Sequence, residues 1–496
     1  MKKLFSLAAS VCLSGSLFAG GLVTNTNQSA SFTRMQCRDA TLGIDAVYYN
    51  PAGLTKLSDG FHLSLNNQSI FQTQTIISSY SLIKGQPKTY QGDVSAPLFP
   101  GVYAAYKTGK LAFSFGFNPI GGGGGAEYKS GLPSFETKIP EVLASALVGL
   151  DAGLSGPLGA NPNYNNVTSN TQDMYFKGSS IYFGYQANVS YAINDMISIA
   201  VGARYVSAKN TYTGYLENIN ISAAPNASVP GLAGLAGNYT PGDYLRAVAA
   251  TPYPAMAGPT VVPTLVGTAA VLDATVIEAD VIETGSGITP VVSVNIAPSE
   301  KLNIALKYEL KTKLELTTEV IDAKNAAGLW TDKGKRIADM PAQLVAGFTY
   351  KPMEKLLVST GIHYYFDKDV DYDGNDTIDN IMIDKNFIEY ALGLQYSVSE
   401  KLNLSAGWLT TITGVNDAYQ DDLSYSLNTN TFGGGLEYRI NDMIAVNLAG
   451  SYTMYKDGSV PMTKTVGTAP ASESYSYDLS LDKKVIMFSV GLDFSF

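Results

Sequence analysis

The chain has 496 residues, a formal net charge of −10 and only 15% charged residues. Soluble domains carry roughly 25% charged residues, so this composition disfavours an ordinary soluble domain, and the acidic balance disfavours a nucleic-acid-binding protein. Tyr (32 residues) and Gly (48 residues) are abundant, while the mean hydropathy of +0.04 is far below that of a helical membrane protein. Alternation of apolar with small polar residues would produce this average.

The N-terminus reads as a secretion signal. Met1-Lys2-Lys3 is followed by an apolar stretch that ends at Ala19, before two glycines. A charged start, an apolar run and a small-residue boundary are typical of a cleaved signal peptide, which we predict over residues 1–19. An uncleaved anchor helix is the alternative, but the run is shorter than the ~18 apolar residues that a helical span needs. Its removal leaves Cys37 as the one cysteine, which excludes an internal disulfide.

Residues 20–60 do not alternate, and they are rich in aromatic and turn residues, as in DAVYYNPAGL at 45–54. Pro51 fixes its own φ and favours an extended Asn50, whose side chain can bond neighbouring backbone. We therefore predict a stiff element at Asn50, Pro51, Ala52 and Gly53 that needs a surface to pack against. The alternatives are an ordinary turn into the first strand, or a disordered extension, which would be poorer in aromatic residues.

Residues 61–496 are predicted to form an all-β, 14-stranded antiparallel transmembrane barrel. Many alternating segments exceed ten residues and carry one apolar face and one small polar face, whereas a soluble sandwich has shorter strands and a polar face rich in Lys and Glu. About 9–11 tilted residues cross the hydrocarbon layer, and closure satisfies every backbone group. The predicted strands lie at about 62–78, 99–107, 110–118, 178–193, 195–213, 284–298, 301–318, 338–351, 354–366, 385–398, 401–413, 428–440, 442–456 and 483–496. A fourteen-stranded lumen is wide enough to hold residues 20–60 as a plug.

The connections alternate between tight turns and long polar segments, the longest at 119–178 and 215–284. In bacterial outer-membrane barrels the short turns are periplasmic and the long loops are extracellular. We therefore expect a bacterial outer membrane of the Gram-negative type. We assign no role to the 215–284 segment.

The third strand is predicted to break inside the wall. Only residues 111–117 precede the run NPIGGGGGAEY, which is fewer than the ~9–11 residues of a full crossing. Proline supplies no ladder donor, and glycine weakens a strand. The sequence thus predicts an opening lined by Pro100, Phe117, Asn118, Pro119, Gly121 and Gly122. The alternative is that both strands end early and the loop simply begins there.

A helix is predicted at 136–154, because its apolar residues recur at helical spacing. Those residues include Ile139, Val142, Leu143, Leu147 and Leu150. This apolar face would form either a ligand groove or a lid on the barrel rim.

Metal binding and catalysis have little support in the sequence. Asp369, Asp371 and Asp373 alternate as in a calcium loop, but the twelfth position is Asn380 rather than Glu, so the choice lies between a loop Ca²⁺ and a solvated acidic turn. His62 and His363 are the only histidines, and strand phase places His363 with Ser359 on the lumen face. An outer-membrane lipase would instead carry a Ser/His pair on its lipid face. No phosphate loop or metal-ligand spacing appears. We predict a protein that is not an enzyme and that needs no cofactor. Lys307, Glu309 and Lys311 are expected on the lumen face of one strand, where their opposite charges would pair with each other. One of the lysines could instead meet a substrate carboxylate.

The Asn50-Pro51-Ala52 core, placed before the first strand of such a barrel, resembles the N-terminal hatch of the FadL family. The resemblance implies passive uptake of long-chain fatty acids or other hydrophobic small molecules, with a lateral opening at a kinked third strand and loop helices that form a first groove. We also expect a monomer among outer-membrane lipids and lipopolysaccharide, inserted by the barrel-assembly machinery. A general porin for polar solutes and an adhesin or structural barrel are the alternatives.

Overall fold

The computed structural model describes residues 22–83, 85–273, 277–322, 331–372, 374, 378–468 and 471–496. In this part of the chain a single antiparallel sheet closes into a barrel of fourteen strands, as predicted. The strands are β1 (Gly60–Ser78), β2 (Lys88–Thr108), β3 (Leu111–Tyr128), β4 (Val167–Ala192), β5 (Ile197–Ala223), β6 (Ile277–Ser299), β7 (Leu302–Glu309 and Glu315–Asp322), β8 (Lys335–Ile337 and Gln343–Met353), β9 (Leu356–Tyr365), β10 (Ile388–Ser397), β11 (Leu402–Ile412), β12 (Thr429–Arg439), β13 (Ile444–Tyr455 and Gly458–Thr468) and β14 (Ala471–Ser495). The predicted signal peptide and Asp373 lie outside the described residues.

The two ends of the barrel differ in their connections. One end, the short-turn end, carries turns of two to four residues at 109–110, 193–196, 300–301, 354–355, 398–401 and 440–443. The other end, the long-loop end, carries the connections 129–166 and 224–276. The structure therefore has the asymmetry that the sequence predicts.

The barrel wall is apolar on its outer face. On β14, Ile486, Phe488 and Val490 are 46%, 59% and 49% exposed, whereas the intervening Met487 and Ser489 are each 3% exposed. Exposed aromatic residues also ring the short-turn end, as Phe61, Tyr106, Tyr191, Tyr350, Tyr396, Tyr438 and Phe496. An outward apolar band with an aromatic girdle is the surface that a lipid bilayer requires.

The C-terminal residue closes the ring. Phe496 N donates to Phe61 O at 2.9 Å, Phe61 N donates to Phe496 O at 3.2 Å, and the two rings stack with centroids 6.3 Å apart. The last residue thus completes the seam between β14 and β1.

Deleting Phe496 is expected to slow assembly several-fold, because it removes both backbone bonds and the ring at the closing seam. The measurement is the heat-modifiable fraction on gels at fixed times after induction. Phe496→Tyr keeps the bonds and an aromatic ring, and should assemble at the native rate. Equal rates for the deletion and the native chain would contradict this role.

Residues 22–57 lie inside the ring of strands, and we call them the plug. Helix α1 (Ala30–Met35) contacts β10 to β14 and β1, whereas the 3-10 helix Pro51–Lys56, which follows α2 (Ala46–Tyr49), contacts β2 to β6. Two wall glycines allow this close approach, since a Cβ at Gly407 would meet Met35 O and one at Gly433 would meet Thr33 O. The plug therefore packs against wall strands on all sides of the lumen.

The long strands extend further than predicted. β3 continues to Tyr128 and β4 begins at Val167, so the connection covers 129–166 rather than 119–178. β5 and β6 likewise include residues that were assigned to the loop 215–284. The predicted bounds are wrong because polar residues were taken to end strands, whereas ladder bonds use the backbone and continue beyond the apolar band.

Helices cover the long-loop end. They are α3 (Pro133–Glu136), α4 (Lys138–Leu158), α5 (Pro241–Ala249) and α6 (Val261–Asp273). α5 and α6 pack on each other, and α4 also contacts the outer segment of β13. The 224–276 connection thus supplies packing partners for the helix in 129–166.

Candidate functional site: the wall gap and the plug

The wall is unpaired along part of one seam. β2 and β3 pair from Thr108 opposite Leu111 to Val102 opposite Phe117, and again from Val94 opposite Ala126. Between these ladders, seven residues of β2 (95–101) face eight residues of β3 (118–125) with no pairing in the described chain. We call this stretch the wall gap. β2 remains paired with β1, and β3 remains paired with β4, along the same stretch.

The predicted opening residues lie in or beside the gap, but the predicted end of the strand is wrong. β3 does not stop at Phe117, because β4 continues to supply its partners, including Phe183 opposite Pro119. The register of β3 against β4 shifts between Pro119 and Gly121 and again before Gly124. Gly122 has a φ of 92°, which favours glycine. β3 therefore bends instead of ending.

The first described residues of the plug pair with the bent part of β3. Asn25 N donates to Ile120 O at 2.9 Å and Gly122 N donates to Val23 O at 3.2 Å, with Thr24 opposite Gly121. Buried backbone groups need partners, and an unpaired group in hydrocarbon costs several kcal/mol. Residues 23–25, which we call the N-terminal segment, therefore form hydrogen bonds with backbone groups of β3 that have no partner on β2.

Gln28 holds this segment to both sides of the gap. Its Nε2 donates to Pro119 O at 3.0 Å, and its Oε1 accepts from Asn118 Nδ2 at 2.6 Å. On the β2 side, Tyr103 OH donates to Gln28 O at 2.7 Å. Sequence reasoning missed Gln28, because a single glutamine whose partners lie about 75 to 90 residues away leaves no local pattern.

The Asn-Pro-Ala turn is bound to the opposite wall. The buried Asn50 donates from Nδ2 to Thr41 O at 3.0 Å and to Asn295 Oδ1 at 2.7 Å. Ala52 N donates to Ser293 Oγ at 2.9 Å, and Pro51 O accepts from Ser190 Oγ at 2.7 Å. A Cβ at Gly53 would collide with the Asn50 amide and Thr41 O. All four predicted turn residues thus have specific contacts that set the position of the plug.

Charged groups also fasten the plug to the wall. Arg34 pairs with Glu437 at 2.8 Å, and the His363 ring contacts Asp39 at 2.7 Å and Glu389 at 2.7 Å. Burial alone would raise the pKa of the Asp45 carboxyl, but the Arg38 guanidinium lowers it below its ordinary value. Paired charges of this kind are costly to separate in a buried site. The plug is therefore an ordered part of the structure.

Lys307 and Glu309 pair as the sequence suggests, at 2.7 Å. Arg204 also pairs with Glu309 at 2.6 Å, and Lys307 Nζ donates to Tyr48 O at 3.0 Å. Lys311, the third predicted lumen residue, is more exposed and lies 3.7 Å from Asp339. Lys307 and Glu309 are thus both bound by protein partners.

Apolar side chains fill the lumen between the plug and the long-loop end. This upper-lumen cluster contains Ile70, Ile76, Tyr90, Val94, Phe99, Ala126, Tyr128, Leu132, Phe176, Tyr212, Val281, Tyr425, Leu479, Leu481, Val485 and Met487. Phe99 lies within the wall gap, and Val94 and Ala126 flank it. Beside the cluster, the Nζ of the buried Lys483 lies 5.1 Å over the Tyr455 ring. A continuous apolar surface therefore leads from the upper lumen to the gap.

Comparison with known proteins decides the fold. No family model and no curated protein matches the chain, but solved structures do. A Pseudomonas aeruginosa FadL homologue aligns over 96% of this chain and 100% of its own, with 13% identity and a TM-score of 0.60. The chain has the FadL fold. The Pseudomonas putida toluene transporter TodX (13% identity, 97% and 100% coverage, TM-score 0.55) and the Ralstonia pickettii toluene transporter TbuX (15%, 93% and 97%, 0.51) share it.

In this FadL-fold barrel the predicted loop helix is present, but its apolar face is not open. Ile139, Leu143, Leu147 and Leu150 are buried in a cluster with residues of α5 and α6, and only Val142 is 37% exposed. The geometry thus favours a lid over a groove, because α5 and α6 cover the face that a ligand would use.

The loop that carries Asp369 and Asp371 forms hydrogen bonds within the protein. Asp371 Oδ1 accepts from Gly374 N at 2.6 Å, and Asp369 O accepts from Lys311 Nζ at 3.2 Å. Among the described residues, no group of three or more His, Cys, Asp or Glu side chains is placed to hold a metal ion. Asp373 lies outside the described residues.

Replacing Asn50 with Ala is expected to leave the barrel folded, because no ladder bond involves this side chain, while releasing the turn from Thr41 and Asn295. We expect a plug whose position is no longer fixed, with the uptake proposed below falling at least threefold per folded molecule. The measurement combines heat-modifiable migration with an uptake assay. Asn220→Ala, at an exposed position, is the matched control, and native uptake by Asn50→Ala would refute a role for the turn.

Proposed function

We propose that this protein is an outer-membrane channel for passive uptake of hydrophobic small molecules, such as long-chain fatty acids or aromatic hydrocarbons. The observation that carries the proposal is the wall gap, since Phe99, which lies within it, belongs to the apolar upper-lumen cluster. The solved structures with this fold include two proteins described as toluene transporters, which agrees with a hydrophobic cargo.

The upper-lumen cluster supplies the driving force for capture. Burial contributes about 0.8 kcal/mol per CH₂ group, so an acyl chain that replaces cluster contacts can be extracted from dilute solution. The cargo enters from the long-loop side, past the helices α4 to α6. No covalent step is involved, and the concentration gradient drives net movement.

Release requires the N-terminal segment to move. A tight apolar site would only store its ligand, so a second conformation must bind it less well. The bonds of residues 23–25 to β3 are few and lie at the gap, so their displacement would open a lateral path. The cargo would then leave through the wall into the outer leaflet, below the polar layer of lipopolysaccharide, without crossing the charged contacts of the plug.

The test is uptake in cells that lack other routes for the same compounds. Cells with the native chain should take up radiolabelled palmitate or toluene in a saturable manner, and the purified protein should carry co-purified lipophiles on native mass spectrometry. In planar bilayers the plug should keep ion conductance low. Large conductance with no lipophile uptake would refute the proposal and favour a porin for polar solutes.

A further inference from the structure

A cavity of about 530 Å³ lies at the short-turn end, on the side of the plug away from the upper-lumen cluster. Plug residues Cys37, Arg38 and 40–43 form one wall, while the ends of β6 to β10 and the turn at 300–301 form the others. Ligand pockets commonly measure ~300–1,000 Å³. We call this cavity the short-turn pocket, and neither the wall gap nor the upper lumen includes it.

The walls of the short-turn pocket are held in place by hydrogen bonds. Asn303 Nδ2 donates to Ala40 O at 3.0 Å, and Thr41 O accepts from Asn50 Nδ2 at 3.0 Å. Asp39 lies between Cys37 and Ala40 in the sequence, and its carboxylate contacts the ring of the buried His363. The plug side and the barrel side are thus tied together, so the cavity is preformed.

The lining combines an apolar surface with basic groups. Ala40, Leu42, Leu302 and Leu357 line the pocket, and Leu42 is 37% exposed although it is apolar. Four basic side chains line it (Arg38, Lys56, Lys301 and Lys351) against two acidic ones (Asp195 and Glu300).

Two of the four basic side chains have no hydrogen bond or ion pair to their ammonium group within the described residues. Arg38 is paired with Asp45 at 2.8 Å, and Lys56 Nζ contacts Asp195 O. Within the described chain neither Lys301 nor Lys351 makes an ion pair, although the protein carries a net charge of −10. Two free ammonium groups beside an apolar surface match a ligand with an anionic head and an alkyl chain.

We propose that the short-turn pocket is a second binding site, for an alkyl carboxylate, with Lys301 and Lys351 binding the carboxylate and Leu42, Leu302 and Leu357 contacting the chain. The proposal rests on the proposed function only in placing this pocket on the periplasmic face. The site would receive fatty acids at the inner surface of the membrane, separately from lateral release at the gap.

The test uses the mature protein in lipid nanodiscs, with Leu42→Trp as a local reporter and 12-bromododecanoate as the quenching probe. Quenching should saturate, and dodecanoate should relieve it whereas dodecanol should not. Adding Lys301→Glu and Lys351→Glu should raise the half-quenching concentration at least tenfold. The matched control, Lys110→Glu with Lys401→Glu, changes exposed lysines of other short turns and should have no effect.

Equal half-quenching concentrations with and without the Lys301 and Lys351 changes would overturn the site, as would equal competition by dodecanol. Native mass spectrometry gives a second measurement without the reporter: the native chain should bind one more dodecanoate than the Lys301→Glu, Lys351→Glu chain, and equal stoichiometry would also overturn the site. Failure of this site and failure of the proposed function can be distinguished. Closing the wall gap should abolish uptake and leave quenching at the short-turn pocket unchanged.

Discussion

A chain with Val or Thr at Pro100, Pro119, Gly121 and Gly125 is expected to fold as a barrel, gain stability and lose at least nine-tenths of its hydrophobic uptake. Seven residues of β2 face eight of β3 across the gap, so a single bulge would allow continuous pairing. The substitutions restore two amide donors and replace glycines with residues that favour strands. A Cβ at Gly121 would also meet Val23 O, so β2 would replace the N-terminal segment as the partner of β3.

The measurement is uptake per heat-modifiable molecule, together with the melting temperature and hydrogen exchange at residues 95–101. The matched control carries Gly434→Val and Gly450→Val, where the wall is already paired and a Cβ would make only ordinary contacts. This control should transport at the native rate. Native uptake by a variant with demonstrated protection across the former gap would exclude the lateral route and leave an axial one.

The strands were predictable because their alternation is a local property. The apolar outer face of β14 follows from the period-2 pattern of residues 484–496, and the same pattern extended by one residue places Lys483 inside the lumen. The pairing of Lys307 with Glu309 follows in the same way, since residues two apart share a face. The aromatic content of residues 20–60 likewise indicated a packed segment.

The details of the site were less predictable because they depend on distant partners. Proline and glycine in β3 suggested a broken strand, but the continued pairing with β4 could be seen only in the sheet. The contacts of Gln28 with Tyr103 and Asn118 join residues far apart in sequence. Helical spacing in α4 indicated a buried face, but not that α5 and α6 would cover it.

Locking the N-terminal segment to β3 should stop uptake reversibly, because the segment must leave the gap for cargo to pass. Since Thr24 lies opposite Gly121, Asn25 lies opposite Ile120. Facing residues of antiparallel strands have Cα atoms ~4.5–5.5 Å apart, which is within the range of disulfides. The variant is Asn25→Cys with Ile120→Cys, made in a Cys37→Ser chain so that no other thiol remains once the predicted signal peptide, which carries Cys12, is removed.

The most direct test of lateral release is therefore uptake of radiolabelled palmitate by cells carrying this variant, before and after reduction with dithiothreitol. The two single-cysteine chains are the controls, and mass spectrometry verifies the disulfide. We predict at least tenfold lower uptake in the oxidised form, a return to the native rate on reduction, and no redox response in either control. A fully oxidised chain that transports as fast as the reduced one would contradict passage through the wall gap.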